Sequence, residues 1–111
     1  MEESFFINKI ECWLKQILES GLEAAYCELS DHPDFPNISM DELNSVMKDQ
    51  VLTLTGLDKS HLVLRVFEHE KAVNVEYSLP LNGSWSPLTA VFEFYQRDGE
   101  WHFSLTEIDV Y

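Results

Sequence analysis

The stretch Phe92-Glu93-Phe94-Tyr95-Gln96-Arg97-Asp98-Gly99-Glu100-Trp101-His102-Phe103-Ser104-Leu105 is built around a central Asp-Gly. That dipeptide is the strongest short signal for a two-residue hairpin, because both turn residues must adopt positive φ. A turn there sets Gln96 opposite Trp101, Phe94 opposite Phe103 and Phe92 opposite Leu105, with Tyr95/His102 and Glu93/Ser104 on the reverse face. Apart from Gln96 one face is then apolar, which fixes the register. Toward the N-terminus, Val73, Val75, Tyr77, Leu79 and Leu81 alternate with Asn74, Glu76, Ser78 and Pro80, the period of a strand with one wet face. A turn centred on His69-Glu70 pairs Val66 with Val73, Leu64 with Val75 and Leu62 with Tyr77. The segment Leu81-Asn82-Gly83-Ser84-Trp85-Ser86-Pro87 then joins two hairpins into a four-stranded antiparallel meander.

Before His61 the period is helical. Phe6, Ile10, Trp13, Leu14, Ile17 and Leu18 form one apolar stripe, with Lys9, Glu11, Lys15 and Glu19 opposite and Gly21 as the stop. Ser20-Gly21-Leu22-Glu23 has capping-box spacing, and Leu22, Ala25, Tyr26 and Leu29 give a short second helix. Two prolines forbid regular helix in Ser30-Asp31-His32-Pro33-Asp34-Phe35-Pro36-Asn37, which reads as an acidic loop. Ser39-Met40-Asp41-Glu42 is a second capping box, followed by Met40, Leu43, Met47, Val51 and Leu54 at helical spacing and Gly56 as a stop. The β-rich run Val51–Thr55 can instead be extended. The expected fold is α+β: three N-terminal helices packed on one face of the meander sheet, in a single domain over residues 1–111 with a helical half at 1–56 and a sheet half at 61–111.

Composition narrows the function classes. The 111 residues carry 20 Asp+Glu against 7 Lys+Arg, a formal net charge of −13. Such a field repels polyanions, so neither nucleic acid nor an anionic membrane is an expected partner. With 45% apolar residues the chain is not an acidic disordered segment. The N-terminal Met1–Ile7 holds acids where a secretory signal carries bases, and no run approaches the roughly 18 apolar residues of a membrane span. Two thiols, Cys12 and Cys27, read as small core residues of a reduced, cytoplasmic protein, with a Cys12–Cys27 disulfide as the alternative.

Chemistry-bearing motifs are sparse. Asp31, His32 and Asp34 are the densest metal-like cluster, but His32 has no second histidine at helical or strand spacing, so no metal ligand is assigned. His61 and His69 read as solvated residues at a strand start and a turn, and His102 as the holder of a structural hydrogen bond beside Tyr95. Neither cysteine has a neighbouring base, and no glycine-rich phosphate loop exists. No catalytic residue and no cofactor is therefore assigned, and the chain reads as a non-enzyme.

The charge is unevenly placed. From Gln16 to Met47 lie seven acids, Glu19, Glu23, Glu28, Asp31, Asp34, Asp41 and Glu42, with no Lys or Arg. Glu19 and Glu23 are like charges four residues apart, a cost of a few tenths of a kcal/mol on a helix. A surface of this kind steers a cationic protein and rejects acidic competitors. Phe35 in the acidic loop and Trp85 between the second and third strands are the candidate aromatic anchors of such an interface.

Leu88-Thr89-Ala90-Val91-Phe92-Glu93-Phe94-Tyr95-Gln96-Arg97-Asp98-Gly99-Glu100-Trp101-His102-Phe103, followed by Ile108-Asp109-Val110, resembles the end of an uncharacterised bacterial domain family. It is also similar to the last hairpin of cone-shaped proteins like nuclear transport factor 2, a resemblance that implies a small-molecule binder or enzyme with an Asp/His pair on the sheet face. In size, acidity, reduced cysteines and lack of catalytic signals, the whole chain resembles the immunity proteins of bacterial contact-dependent inhibition and other polymorphic toxin systems. That resemblance implies a cytoplasmic monomer or weak dimer that binds a cognate toxin, often a basic nuclease, and blocks its active site. A third reading is an accessory protein dimerising through Val63, Arg65, Val91 and Tyr95.

Overall fold

In the computed structural model, residues 3–55, 57, 64–69 and 72–110 are described. Gly56, His61, Leu62, Val63 and Glu70, on which some of the expectations above fall, lie outside them. The chain forms α1 (Glu3–Ser20), α2 (Leu22–Cys27), α3 (Met40–Met47), β1 (Leu64–Glu68), β2 (Val73–Leu81), β3 (Ser84–Arg97) and β4 (Glu100–Val110). The strands lie in the order β1-β2-β3-β4, all antiparallel, so the expected α+β order of helices followed by a meander is the observed one.

The stripe of α1 buries Phe6, Ile10, Trp13 and Leu14. Their rings meet the sheet directly, with Phe6 4.9 Å from Phe94 and Trp13 5.7 Å from Phe92. Leu18 does not belong to this stripe and is 54% exposed. At about 100° per residue it sits about 120° around the axis from Phe6, beyond the arc that faces the sheet. Ser20 is still helical, so its hydroxyl does not cap α2; Gly21, at φ 96°, takes the cap position without a side-chain hydrogen bond. Trp13 Nε1 donates to the Ala25 carbonyl at 2.7 Å and so pins α2 against α1. In α3 the expected cap is present, Ser39 Oγ accepting from the Glu42 amide at 3.1 Å.

The third helix is shorter than its apolar spacing suggests. It ends at Met47, the chain turns at Asp49 with φ 63°, and residues 51–53 run extended along the edge of β2 that β1 leaves open. Leu52 bridges Leu81 there, and the Thr53 amide donates to the Pro80 carbonyl at 2.9 Å.

The β3–β4 hairpin has the expected register at every named pair, with Asp98 at φ 54° and Gly99 at φ 82° in the turn. The β1–β2 register differs from expectation by two residues, Leu64 facing Tyr77 and Val66 facing Val75. The hairpin is centred one residue later than His69-Glu70, the His69 amide donating to the Ala72 carbonyl at 2.9 Å, which moves each partner by two. Asn82 and Gly83, also at positive φ, make a two-residue turn, so Trp85, Ser86 and Pro87 belong to β3 and not to a connecting loop.

The helices cover the face of Val75, Tyr77, Phe92, Phe94 and Leu105, each no more than 1% exposed. Burial, with a smaller contribution from the Glu11 carboxylate, pushes the Tyr77 hydroxyl well above the ordinary phenol range. Cys12 and Cys27 are free and exposed, on the outer sides of α1 and α2 and not in the core. Among the described residues, no helix is long and apolar enough to cross a membrane.

Candidate functional site

The acidic loop is tied to the outer edge of β4. The Ser30 amide donates to the Phe103 carbonyl at 2.9 Å and the Ile38 amide to the Leu105 carbonyl at 2.8 Å. Between these anchors the Asn37 side chain serves as a short piece of strand. Its Oδ1 accepts from the Leu105 amide and its Nδ2 donates to the Ser30 carbonyl, both at 2.8 Å. Ser104 Oγ adds a bond to the same Ser30 carbonyl at 3.2 Å. An exposed strand edge invites pairing with another chain, and this loop closes that edge.

From these anchors, residues 31–36 arch over the face of the sheet opposite the helices. Phe35 stacks on Tyr95 at 5.7 Å and His32 meets the same ring edge-on at 4.7 Å. His102 stacks on Tyr95 from β4 at 5.9 Å, and the Arg97 guanidinium lies 5.8 Å from its centroid. Tyr95 is thereby 3% exposed, and its hydroxyl is buried without a hydrogen-bond partner among the described residues. His32 Nδ1 accepts from the Asp34 amide at 3.0 Å. His102 Nδ1 lies 3.2 Å from Ser30 Oγ, the structural hydrogen bond expected of it. His69 is exposed, as expected, with Nε2 3.2 Å from Glu93 Oε2, while Asn74 donates to the other oxygen of that carboxylate at 2.7 Å.

The three described histidines thus gather on one sheet face around Tyr95 and Glu93, a grouping that sequence spacing did not suggest. The Tyr95/His102 pairing was readable from the Asp-Gly turn, whereas His32 arrives through a contact set by the loop's path. Among the described residues, no three His, Cys, Asp or Glu side chains converge to hold a metal ion. Of the four residues of the dimerisation reading, Val91 is 6% exposed and Tyr95 is covered by the loop, Arg65 is exposed, and Val63 lies outside the described residues.

All seven acids of the base-free stretch are exposed. Glu19 has the Lys15 ammonium at 3.9 Å on the water side of α1, and the other six form no ion pair among the described residues. Glu19 and Glu23 stand on either side of Gly21. Glu28 borders a groove of about 300 Å³ with Lys9, Cys12 and Gln16. Asp31 and Asp34 flank His32 on the arch, and Asp41 and Glu42 lie in the first turn of α3, where the helix dipole favours negative charge.

The two proposed anchors do not share a surface with one another. Phe35 is half-buried against Tyr95, while Trp85 packs on the core beside Tyr77 at 6.2 Å. Ten residues of extended strand separate Trp85 from Tyr95, about 33 Å of chain. Phe35 therefore remains with Asp31 and Asp34, and Trp85 belongs to the far end of the sheet. No protein-family model, curated protein or solved structure matches the chain.

Proposed function

We propose that this domain is a cytoplasmic immunity protein, which neutralises a cognate bacterial toxin domain, a basic nuclease, by covering its active site with an acidic surface. The observation that carries this reading is the exposure of all seven acids between Gln16 and Met47, with only Glu19 joined to a described base. Uncompensated carboxylates on one stretch raise the rate of encounter with a cationic protein and penalise acidic competitors. The arch bearing Asp31, Asp34 and Phe35 is held by backbone bonds at both ends and by Asn37 between them. A partner meeting that arch has little loop ordering to offset.

The cone-shaped, small-molecule reading has less support. The space between α1, α3 and the sheet, bordered by Trp13, Leu43, Leu79 and Ala90, leaves a cavity of about 0 Å³. Ligand sites of ordinary size start at about 300 Å³, a volume that the groove at Lys9, Cys12 and Glu28 has and this space between helices and sheet has not.

The test is binding and nuclease inhibition by the purified protein with the toxin domain encoded immediately upstream. Stoichiometric inhibition is expected, with affinity falling at least tenfold as salt rises from about 0.01 M to 0.15 M and the Debye length shrinks from about 30 to about 8 Å. Binding that is absent, or indifferent to salt over that range, refutes the reading.

A further inference from the structure

We infer that the outer edge of β1 is a pairing surface for a second copy of this chain, the two β1 strands running antiparallel about Val66 and joining two four-stranded sheets into one. The inference goes beyond the toxin partner proposed above and does not depend on it, since it uses the opposite edge of the sheet from the acidic arch.

The two edges of the sheet are finished differently. The edge at β4 is closed by Ser30, Asn37 and Ile38, whereas the strand order ends at β1 with no strand beyond it among the described residues. The bond from the His69 amide to the Ala72 carbonyl makes that pair a bonded one. Bonded and non-bonded pairs alternate along an antiparallel ladder, so Phe67 and Arg65 bond to Asn74 and Glu76, and the amides and carbonyls of Leu64 and Val66 point away from β2. A row of outward backbone groups is a template for another strand, which natural edges blunt with proline or a bulge. The strand Leu64-Arg65-Val66-Phe67-Glu68 has no proline, and its register against β2 runs without a shift. Its base, Arg65, reaches back to Glu76 at 3.4 Å, and Phe67 is left 51% exposed.

Charge selects the occupant. Between Lys48 and Lys71 lie four bases, Lys48, Lys59, Arg65 and Lys71, and four acids, Asp49, Asp58, Glu68 and Glu70, so the whole net charge of −13 lies elsewhere in the chain. A neutral edge has nothing to draw a cationic partner. It is also where two copies repel each other least, because exposed charges farther off are screened beyond about 8 Å at physiological salt.

The strand is complementary to itself. In an antiparallel pair centred on Val66, each Val66 amide donates to the Val66 carbonyl of the other copy, Leu64 faces Glu68, and Arg65 faces Phe67. Leu64 and Val66, which pack against the core, then stay on the helix side in both copies. On the reverse face the Arg65 guanidinium of each copy comes within reach of the other's Phe67 ring, a cation–π pairing that covers the exposed phenylalanine. Helix α1 does not stand in the way, since its rings meet the sheet at β3.

The test is the oligomeric state of the full chain by light scattering and sedimentation, with amide chemical shifts followed on dilution. One short strand buries well under the roughly 1,200 Å² of a standard interface, so a dimer with a Kd of about 10–100 µM is expected. Its affinity should rise as salt goes from about 0.01 M to 0.15 M, the reverse of toxin binding, and the dilution shifts should fall at 64–68. Val66→Pro removes an outward amide and no bond to β2, and should give a monomer whose folding is checked by thermal melts. Phe67→Lys sets like charges across both symmetric pairs and should weaken the dimer at least fivefold, whereas Phe67→Glu faces Arg65 and should stay within twofold of the parent. The inference is overturned if the chain is monomeric at about 1 mM, if the two Phe67 variants weaken the dimer equally, or if folded Val66→Pro still dimerises. Dilution shifts at Val91 and Tyr95 instead, or β1 amides that move only when a different protein is added, overturn it as well. A monomer that inhibits the toxin would reject the β1 edge and leave the acidic surface standing; a β1 dimer that ignores the toxin would do the reverse.

Discussion

Asn37→Ala tests whether one side chain holds the acidic arch on the sheet. The substitution removes the acceptor for the Leu105 amide and the donor to the Ser30 carbonyl, both at 2.8 Å. Each bond contributes about 0.5–1.5 kcal/mol net, and a buried donor left without a partner costs about 1–3 kcal/mol. Leu105 is 0% exposed, so its amide lies under cover that water does not easily enter. The expected loss is about 2–4 kcal/mol, a large share of the roughly 5–15 kcal/mol that a domain has. At about 4 °C per kcal/mol for a chain of this size, the melting temperature should fall by about 8–16 °C. Urea unfolding should show a lower midpoint with an unchanged slope, and hydrogen exchange should accelerate at the Leu105 amide. Asn37→Asp keeps the acceptor and loses the donor, so it should fall between the parent and Asn37→Ala. A loss below about 0.5 kcal/mol with Leu105 still protected would refute the assignment of the strap to Asn37.

Three further outcomes follow from single groups. Tyr95→Phe deletes a buried hydroxyl that has no partner among the described residues and should leave stability unchanged or raise it by about 1 kcal/mol in thermal or urea unfolding; a comparable loss would show that the hydroxyl is bonded. The Tyr77 hydroxyl stays protonated in the fold after the unfolded chain begins to ionise near pH 10, so the folded state binds the extra proton there. Stability should therefore fall above about pH 10 by up to about 1.4 kcal/mol per pH unit, and Tyr77→Phe should remove that slope in urea titrations run at several alkaline pH values. Ser39→Ala removes the cap on the Glu42 amide and should cost about 1 kcal/mol by the same assay, with Ser39→Asp restoring most of it.

How far the fold could be read from the chain depends on how local each determinant is. Asp98-Gly99 supplies both positive φ values of its turn, so every pair up to Phe92/Leu105 follows from two adjacent residues. The His69–Ala72 connection carries no such dipeptide, and an alternating strand shifted by two residues keeps the same faces. Periodicity therefore gave the right face for Leu64 and Val66 but partners two residues off. The segment from Leu81 to Pro87 reads as a connection between the hairpins, yet Asn82-Gly83 suffices for the turn. The register shift between Ser78 and Pro80 accommodates a proline that has no amide to offer the ladder. Gly21 was readable as the end of α1, but the box beginning at Ser20 was not real, because α1 runs through that serine.

The candidate site was half legible for the same reason. Its acids are consecutive features of one stretch, so a count along the chain found them, and their exposure follows from the cost of burying unpaired charge. The arch over Tyr95 depends on Asn37 meeting Leu105, and nothing near either residue announces that meeting. Yet the need for it is visible once β4 is known to be an edge strand, whose outward amides and carbonyls require cover. A segment containing Pro33 and Pro36 cannot lie along that edge as a regular strand, because two of its amides are missing. An asparagine can replace a stretch of backbone there, since its side chain carries one acceptor and a donor in the geometry of a peptide group. With the edge satisfied at Ser30, Asn37 and Ile38, residues 31–36 have no pairing to make and bulge outward. Asp31 and Asp34 are carried into water by the same arrangement that lays His32 and Phe35 on Tyr95. The display of charge at this end of the molecule is thus a consequence of how the sheet edge is closed, and a change at Asn37 should alter affinity for the proposed partner without touching a single acid.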